Sequence, residues 1–452
     1  MQPAFLISAF VIAVIVLWRM GPERAVLALV LPVMMLWPYG TGWKFKGVEL
    51  DIMDAVAIPV ATALFFKYAR RWRYSLVDLL IFFYCFSTLL ANWNADGQSA
   101  GLALGTAMAF ACFPPYIIGR VAVEQPGLRV ALVKRYAFLA FLISVVSVYE
   151  YRMEWNVFRE WSDKIFHNNS HWILQMRWGY GRIAGPYGHA ILAGCILLSA
   201  LLFAIWLASE HLWERKFRNL NFVPGRKSAY IVLGLMLGVW MTQSRGPWMS
   251  GAFGILLILA ARARNQKRAL RNVVIASVLL MTVFYAVLNR YTNIYRTPSD
   301  VDQENAQYRR MLVINYMPVV QRGGMLGYGI HFPTVDGQTS IDNEYLNIAL
   351  TQGYLGLGIF TLLILITCGR LLHTIVTSRD RTETSFALCL LAVFVTIALS
   401  ITTVYLGFQT FTLFFLITGW AQELQPARAL ATAPEPAVAY PPVRFAFRRV
   451  WS

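Results

Sequence analysis

The chain has 452 residues, of which 58% are hydrophobic and only 14% are charged, and its formal net charge is +17. Soluble domains carry about 25% charged residues. The composition excludes a soluble enzyme with a single membrane anchor, because apolar residues extend over nearly the whole sequence, and it excludes an intrinsically disordered chain. The basic residues lie in short segments between apolar runs rather than in a compact basic domain, so we expect no nucleic-acid partner.

Apolar segments of roughly the length that crosses a bilayer follow one another along the chain. They are residues 3–18, 25–39, 52–68, 76–92, 100–119, 130–149, 187–208, 229–243, 247–262, 272–289, 350–369, 384–400 and 403–420. The sequence therefore predicts an all-α, polytopic integral membrane protein with about 12–13 transmembrane helices.

The orientation of these spans follows from the distribution of Lys and Arg over alternate sides of the membrane. One side carries 27 of the 40 basic residues, including the clusters at 67–73, 120–135, 215–227 and 262–271. Basic residues collect in cytoplasmic loops, so this side is predicted to be cytoplasmic. The other side is then periplasmic, and it holds two long loops.

The same pattern divides the chain into six regions, which are N-terminal transmembrane helices (1–149), a first periplasmic loop (150–186), transmembrane helices with an arginine-bearing turn (187–289), a large periplasmic loop (290–349), C-terminal transmembrane helices (350–421) and a disordered cytoplasmic tail (422–452). Both loops are rich in Trp, Tyr and Arg, and they are predicted to form amphipathic surface helices that cap a cavity.

Three arginines on the predicted periplasmic side are candidates for anion binding. Arg182 precedes a glycine- and proline-rich turn, Arg245 follows Ser244 in a very short turn between two spans, and Arg309 is followed by Arg310 and by a glycine turn at 323–329. Each has an ordinary alternative, since Arg245 can reach the lipid headgroups and Arg182 can belong to a plain loop-to-helix transition. Arg310 is included as a substrate contact, although a solvated Arg310 would be nearly silent on substitution.

Two carboxylates, Asp342 and Glu344, stand at the outer end of the span that begins near 350. Taken alone, they are best explained as an N-cap and as an acid that favours the positive end of a helix. Together with three arginines on the same side they suggest chemistry, because guanidinium groups bind phosphate bidentately and a carboxylate can take a proton from a hydroxyl. A lipid-linked diphosphate, with its tail in the bilayer, suits such a site.

The order of these motifs resembles that of the O-antigen ligase and Wzy-type polymerase superfamily of bacterial glycosyltransferases. The resemblance covers residues 180–365, and its matching residues are Arg182, Gly185, Tyr187 and His189 in a first element, Ser244, Arg245 and Gly246 in a second, Arg309 with Gly327 and Gly329 in a third, and Asn343, Tyr345, Leu346, Gly353 and Gly356 in a fourth. Ala190 and Ile191 replace a Pro-Asn pair of the family, and Val313 replaces its Trp.

The departure with most consequence is Asp342, which stands where the family's ligases have histidine. The resemblance implies a GT-C-like fold and transfer of a glycan from an undecaprenyl-type diphosphate to a sugar hydroxyl at the periplasmic face of the bacterial inner membrane. Asp342, Arg182, Arg245 and Arg309 are the expected catalytic residues. The expected substrate-binding residues are His189, Ser244, Arg310, Asn343, Glu344 and Tyr345. Without the histidine, the chain resembles a polymerase of surface polysaccharide or exopolysaccharide repeats more than a ligase.

The expected partners are the undecaprenyl-diphosphate-linked oligosaccharide, membrane lipid, and the flippase and chain-length or export proteins of the same pathway. We expect no cofactor and no metal, since arginines can neutralise a diphosphate leaving group. An O-antigen ligase and a lipid-linked oligosaccharide flippase remain alternatives, as does a metal-dependent glycosyltransferase that uses Glu49, Asp51 and Asp54. The ordinary explanation of those three acids is that they begin a helix.

Overall fold

A computed structural model describes residues 2–424 except 39, 46, 167–174, 218–223, 294–296, 299–300, 336–337 and 339. The predicted tail at 422–452 lies, beyond Leu424, outside these residues. The helices are α1 (Gln2–Met20), α2 (Pro22–Ala25), α3 (Leu31–Leu36), α4 (Ile52–Tyr68), α5 (Leu76–Asp96), α6 (Gln98–Val121), α7 (Leu128–Met153), α8 (Val157–Phe166), α9 (Ala190–Ser209), α10 (Lys227–Met241), α11 (Arg245–Arg262), α12 (Gln266–Tyr291), α13 (Val301–Gly323), α14 (Glu344–Thr351), α15 (Gly353–Thr377), α16 (Arg381–Ser400) and α17 (Phe408–Glu423).

The architecture is an all-α bundle, as the sequence predicts, and every predicted span coincides with helical residues. The span predicted at 25–39 is α2 and α3 joined by a π-helical turn at 26–30. Among the residues that the structure describes, nine helices are long and apolar enough to cross a membrane. Helices α10 and α17 have 15 and 16 residues and fall below that length. The chain is a multi-pass membrane protein.

Two central helices form the core of the bundle. Helix α9 is apolar around its whole circumference, and 94% of its apolar window is buried. Helix α16 packs against it with 78% of its window buried. A helix that is hydrophobic all round must be surrounded by other helices or by lipid. Here α7, α10, α11 and α16 surround α9, so the residue immediately before α9 is fixed at the end of a rigid element.

Some segments that the Lys and Arg distribution assigns to the same side of the membrane contact one another. At one end of the bundle, Lys134 bonds Glu214 at 2.7 Å and Arg129 bonds Glu383 at 2.7 Å, each linking two of the loops rich in basic residues. At the other end, Gln409 Nε2 donates to the Pro186 carbonyl at 3.4 Å. We call this second end the arginine end, because it carries Arg177, Arg182, Arg245 and Arg309.

Both predicted long loops contain a surface helix, α8 in the first and α13 in the second. The first loop also contains strands β3 (Met176–Arg177) and β4 (Tyr180–Gly181), which pair antiparallel. A second hairpin joins β1 (Trp43–Phe45) to β2 (Val48–Leu50). The sequence analysis anticipated neither hairpin, because each strand has only two or three residues and no alternating pattern can be recognised over that length.

The acids proposed for a metal-dependent alternative begin a helix. Asp51 accepts a hydrogen bond from the Asp54 backbone N–H at 2.8 Å, and Asp54 accepts one from the Asp51 N–H at 3.0 Å. This reciprocal pair is a capping box, which satisfies backbone donors that a helix start otherwise leaves free. The ordinary explanation of Asp51 and Asp54 therefore agrees with the geometry.

Candidate active site

The β3–β4 hairpin presents two arginines to the arginine end. Its two-residue turn is Trp178-Gly179, with φ of +53° and +78°. Positive φ at both central positions matches the twist of two antiparallel strands. The Arg182 N–H donates to the Gln175 carbonyl at 2.8 Å and extends the ladder by one bond. Arg177 and Arg182 thus lie on a short, hydrogen-bonded ribbon rather than on a free loop.

A buried carboxylate holds the turn that follows Arg182. Glu150, near the end of α7, accepts hydrogen bonds from the backbone N–H groups of Ala184 at 2.9 Å and Gly185 at 3.0 Å. Asn156 Nδ2 donates both to Glu150 at 2.6 Å and to the Gly185 carbonyl at 3.0 Å. Hydrogen bonds between a carboxylate and backbone N–H groups are stronger than neutral ones. The turn between Arg182 and α9 is therefore fixed by α7.

Arg182 is buried, with 9% of its surface exposed, and it ties three segments together. Its Nε donates to the Thr242 carbonyl at 3.1 Å, one Nη donates to Ser244 Oγ at 2.9 Å, and the other donates to Gln175 Oε1. Burial and the neighbouring arginines lower the pKa of Arg182 to about 10. The group stays charged at neutral pH, and no carboxylate among the described residues lies within ion-pair distance of it.

Arg245 is the first residue of α11, directly after Ser244. Its guanidinium forms an ion pair with Asp302 of α13 and lies 5.9 Å from the ring centroid of Trp178. Gly246 follows because a Cβ at this position would come within 2.5 Å of Thr403 Oγ1. The Ser-Arg-Gly turn is therefore clamped between the hairpin, the start of α13 and the loop that joins α16 to α17.

Arg309 and Arg310 are neighbours on α13 but have different environments. Arg310 donates to the Asn289 carbonyl at 3.1 Å and to Thr292 Oγ1 at 3.3 Å, so it caps the end of α12. Arg309 makes no hydrogen bond or ion pair with any residue that the structure describes, and it is exposed. Arg309 as a phosphate-binding residue and Arg310 as a substrate contact stay predictions.

Asp342 stands just before α14 and is not its cap. The N-cap of α14 is Asn343, whose Oδ1 accepts from the Leu346 N–H at 3.1 Å. Asp342 instead accepts a hydrogen bond from Ser340 Oγ at 2.9 Å. Burial lowers the pKa values of Arg309 and His189, and the negative charge of Asp342 opposes this lowering at both residues. The ordinary explanation of Asp342 as a helix cap is therefore wrong, because the cap belongs to its neighbour.

His189 is the N-cap of α9. Its Nδ1 accepts from the Ile191 N–H at 3.1 Å, and its Nε2 lies 3.3 Å from Gln175 Nε2. Burial and the charge of Arg182 lower the pKa of His189 to about 4, so the imidazole is neutral at physiological pH. A neutral imidazole beside an arginine cluster adds no further positive charge, and it remains able to hydrogen-bond a sugar or a phosphate.

Glu344 and Tyr345 point away from the arginine cluster into the protein. Glu344 is buried, and its Oε2 accepts from the Leu406 N–H at 2.9 Å. Burial raises the pKa of Glu344 to about 7. The Tyr345 hydroxyl donates to the Ala398 carbonyl at 2.9 Å. The structure thus places both residues, predicted as substrate contacts, where Glu344 anchors α14 to the α16–α17 loop and Tyr345 anchors it to the end of α16.

The glycine turn at 323–329, in the second long loop, docks on the break between α14 and α15. The Tyr328 N–H donates to the Leu350 carbonyl and the Gly329 N–H to the Thr351 carbonyl, each at 2.9 Å. A Cβ on Gly353 would come within 2.4 Å of the Met325 carbonyl oxygen. Gly353 and the glycine turn thus let two stretches of backbone meet directly.

The arginine end brings four guanidinium groups together from three elements. Arg182 and Arg309 belong to the predicted set, as does Arg245, whereas Arg177 was missed by the sequence analysis. Burial lowers the pKa of Arg177, and the charges of Arg245 and Arg309 lower it further. Burial and the charges of Arg177 and Arg309 likewise lower the pKa of Arg182. Arg177 thus lies within electrostatic range of the other three arginines, and Arg309 within range of Arg182.

Two arginines at the opposite end of the bundle, Arg120 and Arg129, are paired with carboxylates. Arg120 is paired with Asp78, and Arg129 is paired with both Glu124 and Glu383. Paired, buried arginines of this kind hold a fold together. At the arginine end, two of the four arginines have no carboxylate partner among the described residues. This contrast separates a structural use of arginine from one that favours an anionic ligand.

A comparison with known protein families matches the part of the chain that contains most of these site residues. The family model described as O-antigen ligase (Wzy_C) matches residues 229–361, a segment that contains Arg245, Arg309 and Asp342. No curated protein sequence matches the chain. The family handles lipid-linked oligosaccharides in membranes, and its match covers the second, third and fourth elements of the resemblance. The match at residues 229–361 supports the assignment of the chain to the O-antigen ligase and Wzy-type superfamily.

Proposed function

We propose that this protein is a glycosyltransferase that polymerises oligosaccharide repeat units carried on undecaprenyl diphosphate, at the periplasmic face of the bacterial inner membrane. The observation that carries the proposal is the cluster of Arg177, Arg182, Arg245 and Arg309. Among the described residues this cluster has one ion-paired carboxylate, Asp302, which cannot neutralise its positive charge. Guanidinium groups bind phosphate oxygens bidentately and keep their charge in a partly buried site.

The position of the cluster at one end of the bundle suits a lipid-linked donor. Arg182 lies in a loop, Arg245 is the first residue of its helix, and Arg309 lies on a surface helix. A diphosphate held there leaves its polyprenyl tail in the bilayer and its glycan in water. A flippase would need charged groups near the middle of its spans, so the arrangement favours an enzyme over a transporter.

The reaction is a substitution at the anomeric carbon of the donor glycan. The oxygen of an acceptor sugar hydroxyl forms the new bond to this carbon while the bond from the carbon to the phosphate oxygen breaks. The lipid diphosphate leaves with the electron pair, and the arginines neutralise the charge that develops on it. Asp342, which does not cap α14, accepts the proton of the attacking hydroxyl.

Other predicted residues act on this site through their neighbours. Ser244 accepts from Arg182 and donates to the Ala190 carbonyl at 3.1 Å, so it holds the guanidinium against the start of α9. Asn343 begins α14 and thereby fixes the backbone beside Asp342. We propose His189 as a neutral hydrogen-bonding group for the glycan or the diphosphate.

The second candidate is an O-antigen ligase that transfers one finished glycan to an acceptor, which the match to the O-antigen ligase family model supports. Deletion of the gene separates the two functions. A strain without the polymerase accumulates single repeat units on the lipid diphosphate, whereas a strain without the ligase accumulates long chains on it. We expect single units, restored to a ladder of lengths by the wild-type gene and by Arg322→Ala, but not by Arg309→Ala. Arg322 is an exposed arginine on the same helix and serves as the matched control.

A further inference from the structure

One carboxylate bridges two arginines of the cluster. Asp302, in the first turn of α13, forms an ion pair with Arg245 through one oxygen, and its other oxygen lies 4.0 Å from Arg177 Nη2. Asp302 and Arg309 are seven residues apart, which places them on the same face of α13, two turns from each other. The start of α13 therefore contributes a negative group and Arg309 a positive group to the same cluster.

Arg177 is held ready by the backbone rather than by this carboxylate. Its Nη1 donates to the Gln243 carbonyl at 2.7 Å, so the guanidinium keeps its place when Asp302 is removed. Within the described part of the chain, Asp302 is the carboxylate in ion-pair distance of Arg177 and Arg245, and Arg182 and Arg309 have none. Four positive groups thus share one paired carboxylate, with Asp342 acting at longer range.

The environment of Gln243, whose carbonyl binds Arg177, indicates a polar ligand nearby. Gln243 is fully buried, and neither its Oε1 nor its Nε2 has a hydrogen-bond partner among the described residues. Its φ is +48°, a left-handed conformation that a non-glycine residue rarely adopts. An unsatisfied buried amide costs about 1–3 kcal/mol, and strained residues concentrate at functional sites. Gln243 stands between Thr242, which bonds Arg182, and Ser244, next to Arg245.

We propose that Asp302 is a placeholder for phosphate: the donor diphosphate replaces its carboxylate between Arg177 and Arg245, which makes Arg177 a diphosphate-binding residue. A carboxylate and a phosphate present similar pairs of oxygens to a guanidinium fork, so the same two arginines can accept either. The exchange leaves the arginines paired in the free and the bound states. This inference rests on the proposed function and deepens it.

Binding of inorganic pyrophosphate to the purified full-length protein in detergent tests the inference by calorimetry. We expect Asp302→Asn to tighten binding by about tenfold, because the competing carboxylate is gone, and Arg177→Gln to weaken it by about tenfold or more. Glu304→Gln is the matched control, since Glu304 is an exposed acid in the same first turn of α13. It should change the dissociation constant by less than about twofold, as a distant charge is screened.

The outcomes distinguish this inference from the function on which it rests. If the wild type binds pyrophosphate and Arg309→Ala weakens binding, but Asp302→Asn matches the wild type, the placeholder is refuted and the proposed function stands. An equal gain from Asp302→Asn and Glu304→Gln also refutes it, because only general charge is then at work. If the wild type binds no pyrophosphate, both proposals fail. Should Arg177→Gln not fold, Arg177→Lys keeps the charge and loses the fork, and it should still bind more weakly.

Discussion

Removal of Arg182 and removal of Arg309 should both abolish glycan transfer, but only the first should destabilise the protein. Arg182 is 9% exposed and donates hydrogen bonds to the Thr242 carbonyl, to Ser244 Oγ and to Gln175. Each such bond contributes about 1 kcal/mol, so Arg182→Ala should lower the free energy of unfolding by about 3 kcal/mol. Arg309 has no such partner among the described residues, and Arg309→Ala should cost less than about 0.5 kcal/mol.

This expectation revises one that follows from the sequence alone. From sequence, Arg182→Ala, Arg245→Ala and Arg309→Ala are each expected to abolish polymer without lowering the amount of protein in the membrane. The structure separates the three, because Arg182 is a clamp between the hairpin and the start of α11 as well as a positive charge. Arg245 is half-exposed and has one ion-pair partner, so its loss should resemble that of Arg309.

The assay is thermal unfolding of the purified variants in detergent, together with polymer formation in the deletion strain. We expect a clearly lower unfolding midpoint for Arg182→Ala and Arg182→Lys. For Arg309→Ala we expect an unchanged midpoint and no polymer. An Arg309→Ala protein that unfolds as early as Arg182→Ala would refute the distinction between clamp and ligand. A stable Arg182→Ala protein would show that its three hydrogen bonds contribute nothing.

Three further predictions concern the base, a buried acid and the topology. Asp342→Asn should keep the unfolding midpoint and lose about 10² to 10⁴ in transfer rate; the cap of α14 is Asn343, so normal polymer from this variant would eliminate the base. Burial raises the pKa of Glu344 from 4.5 to about 7, so its contribution to stability is full below pH 4.5 and is lost as the pH rises through about 7. Glu344→Gln should remove this contribution, about 3 kcal/mol, from the pH dependence of the free energy of unfolding. An unchanged pH dependence of the unfolding midpoint would contradict the assignment. A cysteine at Glu304 should react with an impermeant maleimide in intact cells while one at Arg268 should not, and labelling at Arg268 would invert the topology.

The fold was predictable because the signal that specifies it is local. A membrane span requires a long apolar run, and each predicted run coincides with helical residues. The alternation of basic loops also predicts which loops meet, as the pairs Lys134–Glu214 and Arg129–Glu383 show. The hairpin at 176–181 was not predicted, since two-residue strands carry no periodic pattern.

The candidate site was predictable only in part, because its contacts join residues that are far apart in sequence. Arg177 meets the Gln243 carbonyl 66 residues away, and Arg245 meets Asp302 57 residues away. No spacing rule connects such positions. The cap of α14 shows a smaller limit, since Asp342 and Asn343 are both good N-caps and the sequence does not decide which of two neighbours begins the helix.

The most direct test of the central claim, that the arginine cluster holds the diphosphate of a lipid-linked glycan during transfer, is a turnover measurement in proteoliposomes. Purified protein is supplied with lipid-linked repeat units from the deletion strain, and released polyprenyl diphosphate is counted against new glycosidic bonds. The account predicts one lipid diphosphate released per bond formed by the wild type and by Arg322→Ala, and none by Arg309→Ala. Equal turnover by Arg309→Ala, or glycan transfer without release of lipid diphosphate, would contradict it.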